Sequence, residues 1–163
     1  MVKIGSLILV SFLTISTAYA TSWQTIGQST LTFWRWDIYT ATLYNDQGQY
    51  QGIESPLKLS LNYHRNIPAK RIYKETRKQF KRLGYQSSEH DLWLDAFYRA
   101  LPDIESGATL SFELKSDNSA VLHHNNTPVN HFAASALNRH FLEIWLSEAT
   151  QEPDMRKQLI KAN

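Results

Sequence analysis

The chain has 163 residues, of which 42% are hydrophobic and 20% are charged, and its formal net charge is +2. These values are typical of an ordinary globular domain and exclude a disordered or fibrous chain. The absence of cysteine excludes disulfides, thiolate metal ligands and a cysteine nucleophile. A net charge this close to zero indicates nothing about partners, so the function has to be read from the order of the residues.

The first twenty residues have the pattern of a secretory signal peptide. Lys3 supplies a positive charge, residues 4–15 form an apolar run, and Ala18 and Ala20 are the small residues that a signal peptidase reads. The apolar run is too short to span a bilayer comfortably. We therefore predict cleavage after Ala20 and a single domain over residues 21–163. An exported chain without cysteine suits the oxidising periplasm, which is the predicted location.

Strands and helices are predicted to follow one another in blocks. The predicted strands cover residues 30–44 (one long strand, or two joined at a bulge), 57–63, 110–114, 120–124 and a segment from 129. The predicted helices cover residues 68–83, 88–101, 131–146 and a short segment from 153. Because this order lacks a sustained strand–helix–strand alternation, it predicts an α+β domain in which helices cover one face of an antiparallel sheet.

The first predicted helix is strongly basic. Eight basic residues lie between Arg65 and Arg82 and are opposed only by Glu75, so the segment carries a local charge of +7. The residues on its polar face are Lys70, Lys74, Arg77, Lys78 and Lys81. This face is either a docking surface for an anionic membrane or an acidic partner, or simply a solvated helix face. We expect no nucleic-acid partner, because the chain is predicted to be exported and carries no nucleic-acid motif.

No motif for catalysis or metal binding is visible. His123 and His124 are adjacent on a predicted strand, so their side chains point to opposite faces and cannot easily share one ion. The sequence has no GxSxG motif, no phosphate-binding loop and no HExxH spacing. We therefore predict no metal and no cofactor, and we assign no catalytic residue.

An aromatic segment is the other unusual feature. Its large side chains are Phe33, Trp34, Trp36, Tyr39 and Tyr44, with Arg35 among them. On one continuous strand, Phe33, Arg35, Asp37 and Tyr39 would share one face, and Trp34, Trp36 and Ile38 the other. These aromatics either pack against the helices or line a cleft for a flat or oily ligand. In the second case Arg35 and Tyr39 would be its polar contacts.

Five stretches together resemble the bacterial branch of the chalcone isomerase-like family. They are FWRWDIYTATLY at 33–44, LKLSLNYHRNIPAKRIYKETRKQFKRLG at 57–84, LPDIESGATLSFEL at 101–114, VLHHNNTPVNHF at 121–132 and FLEIWLSEATQEPDMRKQLI at 141–160. The most specific pieces are Tyr63-His64-Arg65-Asn66-Ile67, the Pro102-Asp103 pair with Gly107, and Ile144-Trp145-Leu146. The resemblance extends over nearly all of residues 21–163.

The resemblance implies an open-faced β-sandwich, in which a large antiparallel sheet lies under a layer of helices with a ligand cleft between them. Plant enzymes of this family cyclise chalcones with an arginine, a threonine and a tyrosine, and other plant members bind fatty acids through an arginine and a tyrosine. Here Tyr39 falls at the threonine, residues 27–30 contain no arginine, and Lys70 or Arg71 falls at the tyrosine. None of the three enzyme residues is matched, which argues against chalcone cyclisation.

Three functions stay open on these grounds. The first is a non-catalytic periplasmic binding protein for an apolar, acidic small molecule such as a fatty acid. Its predicted ligand-binding residues are Arg35, Trp36, Tyr39, Tyr63 and Arg65. The second is an interaction or accessory module of the cell envelope, whose cleft is filled by its own side chains. The third is an isomerase, an intramolecular lyase, that acts on an unknown substrate.

Overall fold

A computed structural model describes residues 22–162, and the predicted signal peptide lies outside these residues. The strands are β1 (Gln24–Phe33), β2 (Trp36–Asn45), β3 (Leu57–Tyr63), β4 (Thr109–Leu114), β5 (Ala120–His124) and β6 (Thr127–Phe132). The helices are α1 (Ala69–Arg82), α2 (Ser88–Ala100), α3 (Leu137–Leu146) and α4 (Pro153–Ile160). No helix within these residues combines the length and the apolarity that a bilayer crossing requires.

The six strands form one sheet in chain order, and every neighbouring pair is antiparallel. Along β3, Leu57, Leu59 and Leu61 are buried whereas Lys58 and Ser60 are partly exposed. The buried side of the sheet packs against apolar side chains of the helices, and the other side is open. The predicted α+β class, with an antiparallel sheet covered by helices on one face, is confirmed.

The aromatic segment is a tight hairpin, and its prediction as one strand or two strands joined at a bulge is wrong. Phe33 pairs with Trp36, so Trp34 and Arg35 form a two-residue turn between β1 and β2. Trp34 has a φ of 59°, in the left-handed region that such turns use. The turn was hidden because it contains none of the Gly, Asn or Asp residues that usually mark one.

A bulge in β2 changes which side chains share a face. Ile38 is skipped in the register with β1, so Asp37 lies on the face opposite to Tyr39. On that open face the hydroxyl of Thr32 donates to the Asp37 carboxylate at 2.6 Å. Trp36 shares the helix-covered face with Tyr39. The predicted grouping, with Asp37 beside Tyr39 and Trp36 opposite, is therefore wrong.

Aromatic rings fill the space between the sheet and the helices. Trp93 of α2 lies at their centre, and its ring stacks on Phe132 with centroids 4.8 Å apart and on Phe97 at 5.5 Å. The other rings around Trp93 are Phe80, Phe112 and Phe141. The Trp93 indole N–H donates to Oδ1 of the fully buried Asn138 at 2.9 Å. The centre of the sheet–helix interface is thus packed with the protein's own side chains.

Candidate functional site

Two of the predicted ligand-binding residues meet at the end of the sheet where β2 begins and β3 ends. Tyr39 and Tyr63 are cross-strand partners on the helix-covered face, and their rings meet edge to face with centroids 5.5 Å apart. The hydroxyl of Tyr39 accepts a hydrogen bond from Nε1 of Trp145 on α3 at 2.9 Å. Tyr63 is buried and Tyr39 is half-buried, so this pair lies just inside the edge of the helical layer.

Both phenols stay protonated across the physiological pH range. Burial raises the pKa of Tyr39 to about 12, with the carboxylates of Glu152 and Glu75 adding a smaller repulsion. Burial also raises the pKa of Tyr63, and the neighbouring Tyr39 adds to the effect. A neutral phenol can donate a hydrogen bond to a ligand but is a poor general base near neutral pH. The pair therefore suits binding better than proton abstraction.

Trp36 and Arg65 meet just outside this pair. The Arg65 guanidinium lies 4.5 Å from the centroid of the Trp36 ring, a cation–π contact. The two residues line a shallow depression of about 460 Å³ together with Asp37, His64 and Asn66. The depression therefore combines an aromatic surface, a cation and the Asp37 carboxylate at the end of the sheet where β2 begins.

Arg35 does not join the other predicted residues. It lies in the two-residue turn, where its guanidinium is 5.6 Å from the centroid of the Trp34 ring. Trp34 is 82% exposed and Phe33 is 73% exposed, so the hairpin projects into solvent. Of the five predicted ligand-binding residues, the structure thus pairs Trp36 with Arg65 and Tyr39 with Tyr63. It leaves Arg35 at the tip.

The basic face of α1 is exposed along its length, as its spacing predicts. The exposed cations are Lys70, Lys74, Arg77, Lys78 and Lys81. Arg77 lies 3.9 Å from Asp91 and Lys78 lies 3.5 Å from Glu75, and all four side chains are more than half exposed. Ion pairs this exposed contribute little to stability, so most of the positive charge stays available to solvent or a partner. A docking role for this face stays a prediction.

The open face of the sheet carries a polar trough that the sequence reading missed. The trough has a volume of about 500 Å³, and its lining residues are Gln28, Thr30, Thr40, Thr42, Tyr44, Ser60, Asn62 and Thr109. The hydroxyls of Thr30 and Thr40 are 2.9 Å apart, and Nε2 of His64 is 2.8 Å from the Thr40 hydroxyl. Because these groups hydrogen-bond to one another across the strands, the trough is explained by solvation of the open face. The sequence feature that could have predicted the trough is the set of polar residues that alternate with the leucines of β3.

A cluster of titratable side chains between α2 and α3 was also missed. His90 Nε2 and His140 Nδ1 are 3.0 Å apart, and the ring of Tyr85 stacks on His140 with centroids 4.0 Å apart. The Tyr85 hydroxyl donates to the Glu143 carboxylate. Burial lowers the pKa of His140, and the nearby Glu143 opposes this shift. The spacing of His140 and Glu143, three residues apart on one helix, was the available signal.

The histidines of β5 behave as the strand pattern predicts. His123 pairs with Ser111 and His124 pairs with Leu110, so the two side chains point to opposite faces of the sheet. Across residues 22–162, no three His, Asp or Glu side chains come close enough together to hold a metal ion.

The element order, the meander and the single helix-covered face define an open-faced β-sandwich. The chain belongs to the chalcone isomerase-like family, whose model matches residues 24–161. It is similar to an uncharacterized protein of Haemophilus influenzae, with 27% identity over 158 residues, which cover 97% of this chain and 78% of that protein. Among solved structures it is similar to a fatty-acid binding protein of Arabidopsis thaliana. That match has a TM-score of 0.65, 14% identity and 90% coverage of each chain. The family and fold predictions are confirmed.

Proposed function

We propose that the protein is a non-catalytic binding protein for a small amphiphilic acid, such as a fatty acid, and that it acts in the periplasm. One observation carries the proposal. Arg65 is held over Trp36 at the end of the sheet, and although the Asp37 carboxylate lines the same depression, Arg65 forms no ion pair with any residue between 22 and 162. A ligand carboxylate can accept two hydrogen bonds from this guanidinium, and its apolar chain can lie on the aromatic surface beside it.

Tyr39 and Tyr63 extend this surface inward. Their phenols remain neutral, as the raised pKa values indicate, so they place no charge where the apolar chain of a ligand would lie. The carboxylates of Glu75 and Glu152 lie near Tyr39 and would repel a ligand carboxylate there. The acidic group is therefore proposed to bind at Arg65, with the apolar chain directed toward the tyrosines. The name of the Arabidopsis neighbour, a fatty-acid binding protein, supports this class of ligand.

A specific observation favours a second candidate, the cell-envelope interaction module. The rings around Trp93 fill the centre of the sheet–helix interface, so a deep ligand cleft would require them to move. In this candidate the exposed basic face of α1 would bind an anionic membrane or an acidic partner. No arrangement among the described residues favours the isomerase alternative, because the phenol of Tyr39 is a weak base at neutral pH.

The test measures binding of dodecanoic acid and dodecanol, both below the concentration at which they aggregate, by isothermal titration calorimetry. We expect the wild-type protein to bind the acid more tightly than the alcohol. Arg65→Gln should weaken acid binding by roughly tenfold or more, because a charge-assisted hydrogen bond is lost, and should leave alcohol binding unchanged. The matched control is Arg82→Gln, at the far end of α1, about 20 Å from its first turn.

Two outcomes contradict the proposal. One is a protein that binds neither compound, which would favour the interaction module. The other is equal binding of acid and alcohol that Arg65→Gln does not change, because the guanidinium would then have no part in recognition. Cell fractionation tests the location separately: recovery of the protein in the cytoplasmic fraction would contradict the periplasmic part alone.

A further inference from the structure

The tip of the β1–β2 hairpin, Phe33 to Trp36, exposes an unusual amount of aromatic surface. Phe33 is 73% exposed, Trp34 82% and Trp36 54%, and these are three of the six exposed large hydrophobic side chains among the described residues. Together they expose on the order of 400–500 Å² of surface, comparable to the largest apolar patch of many soluble monomers. Patches of this size usually mark an interaction site.

The backbone at the tip does not explain why a tryptophan is there. Trp34 adopts a φ of 59° in a turn position where Gly, Asn and Asp are preferred. A bulky side chain in the left-handed region is a conformational outlier, and such outliers concentrate at functional sites. An exposed tryptophan at this position therefore opposes folding, which points to a role outside the folded core.

The charged side chains next to the tip indicate the chemistry of the surface that it would contact. The guanidinium of Arg35 lies beside the Trp34 ring and that of Arg65 over the Trp36 ring. Neither arginine forms an ion pair within the part of the chain that the structure describes. Asp37, the acidic residue next to the tip, lines the depression beside Trp36 and Arg65 and accepts a hydrogen bond from Thr32, so one carboxylate faces two guanidinium groups. Aromatic rings with free guanidinium groups match the region of a bilayer where acyl chains meet phosphates.

We propose that the hairpin tip inserts Phe33 and Trp34 into the interface of an anionic phospholipid bilayer, with Arg35 on the lipid phosphates. The shape of the tip favours a bilayer over a protein. A protein interface of standard size needs about 800 Å² on each partner, whereas the tip is a narrow projection with about half that area. This proposal is independent of a bound small molecule.

The test is co-sedimentation of the purified exported protein with lipid vesicles. We expect binding to vesicles of phosphatidylcholine and phosphatidylglycerol at 3:1, and much weaker binding to phosphatidylcholine alone. The double variant Phe33→Ser, Trp34→Asn should reduce the partition coefficient about tenfold or more, because it removes both inserted rings. Asn suits the left-handed turn position, so this variant should fold. The matched control is Leu92→Ser, which removes a side chain that is 68% exposed on α2.

Fluorescence quenching by brominated phospholipids gives an independent measurement of insertion. In the wild-type protein, quenching should be strong for bromines near the headgroups, and Trp34→Phe should reduce it while binding persists. The proposal is overturned if the wild-type protein does not bind anionic vesicles, or if the tip variant binds as well as wild type. It is also overturned if the tip variant, at an unchanged melting temperature, loses dodecanoic acid binding, because the tip would then belong to the ligand site.

Discussion

Replacing Gly27 with alanine should displace α4 from the sheet. Gly27 is a buried residue of β1 beside a register shift in its pairing with β2. A Cβ atom added there would lie 2.3 Å from the backbone oxygen of Gln158 and 2.4 Å from that of Leu159. Ordinary contacts are longer by about 1 Å, so the helix would have to move away by about that distance. Met155 and Leu159, the buried residues of α4, would lose packing with it.

The size of the effect follows from overpacking against backbone atoms that cannot rotate away. Overpacking usually destabilises by about 1–3 kcal/mol, and we expect a value near 3 kcal/mol for Gly27→Ala. In a chain of this size that lowers the melting temperature by about 9–15 °C. The matched control is Gly84→Ala: Gly84 has a φ of +88° and no atom within 4 Å of an added Cβ. There we expect only the left-handed backbone penalty of about 1 kcal/mol.

The measurement is urea unfolding of both variants, followed by tryptophan fluorescence and by far-ultraviolet circular dichroism. The midpoint should fall further for Gly27→Ala than for Gly84→Ala, and the slope of the transition should stay unchanged. If the two variants lose the same free energy of unfolding, the close contact between α4 and β1 does not determine the stability, and the reasoning is refuted.

Three further predictions concern the core, the pH response and processing. Asn138→Ala should reduce the free energy of unfolding by about 3 kcal/mol in the same assay, because the buried indole N–H of Trp93 and the backbone carbonyls of Asn118 and Ala133 lose their partner; a loss under 1 kcal/mol would contradict this. Because the pKa of His140 is lowered in the folded protein, this histidine takes up a proton at a higher pH in the unfolded chain than in the folded protein. The melting temperature should therefore fall as the pH drops below about 6.5, less so in His140→Gln, whereas the exposed control His131→Gln should respond like wild type. Mass spectrometry of the exported protein should show cleavage after Ala20; an intact N-terminus would contradict the predicted signal peptide.

The sequence was sufficient wherever a pattern is local. The alternation of leucines in β3 depends only on the two-residue period of a strand, and the structure has that strand at Leu57–Tyr63. The spacing of apolar residues in α1 depends only on the helical repeat, and its cations are exposed as predicted. The turn at Trp34 and Arg35 was missed because Phe33, Trp34 and Trp36 are strong β-formers, and pairing of β1 with β2 overrides that preference at Trp34.

The sequence by itself determined the class of fold, the family, the buried face of β3 and the basic face of α1, because each is set by neighbours along the chain or by recognisable motifs. The tertiary structure decided which distant residues meet. Asp103, in a loop far along the chain, accepts a hydrogen bond from the first backbone N–H of α1 at 2.8 Å. The bulge at Ile38 brings Trp36 to the face where Arg65 covers it. A one-residue change of register moves a side chain to the opposite face of a sheet, and only the paired strands determine that register.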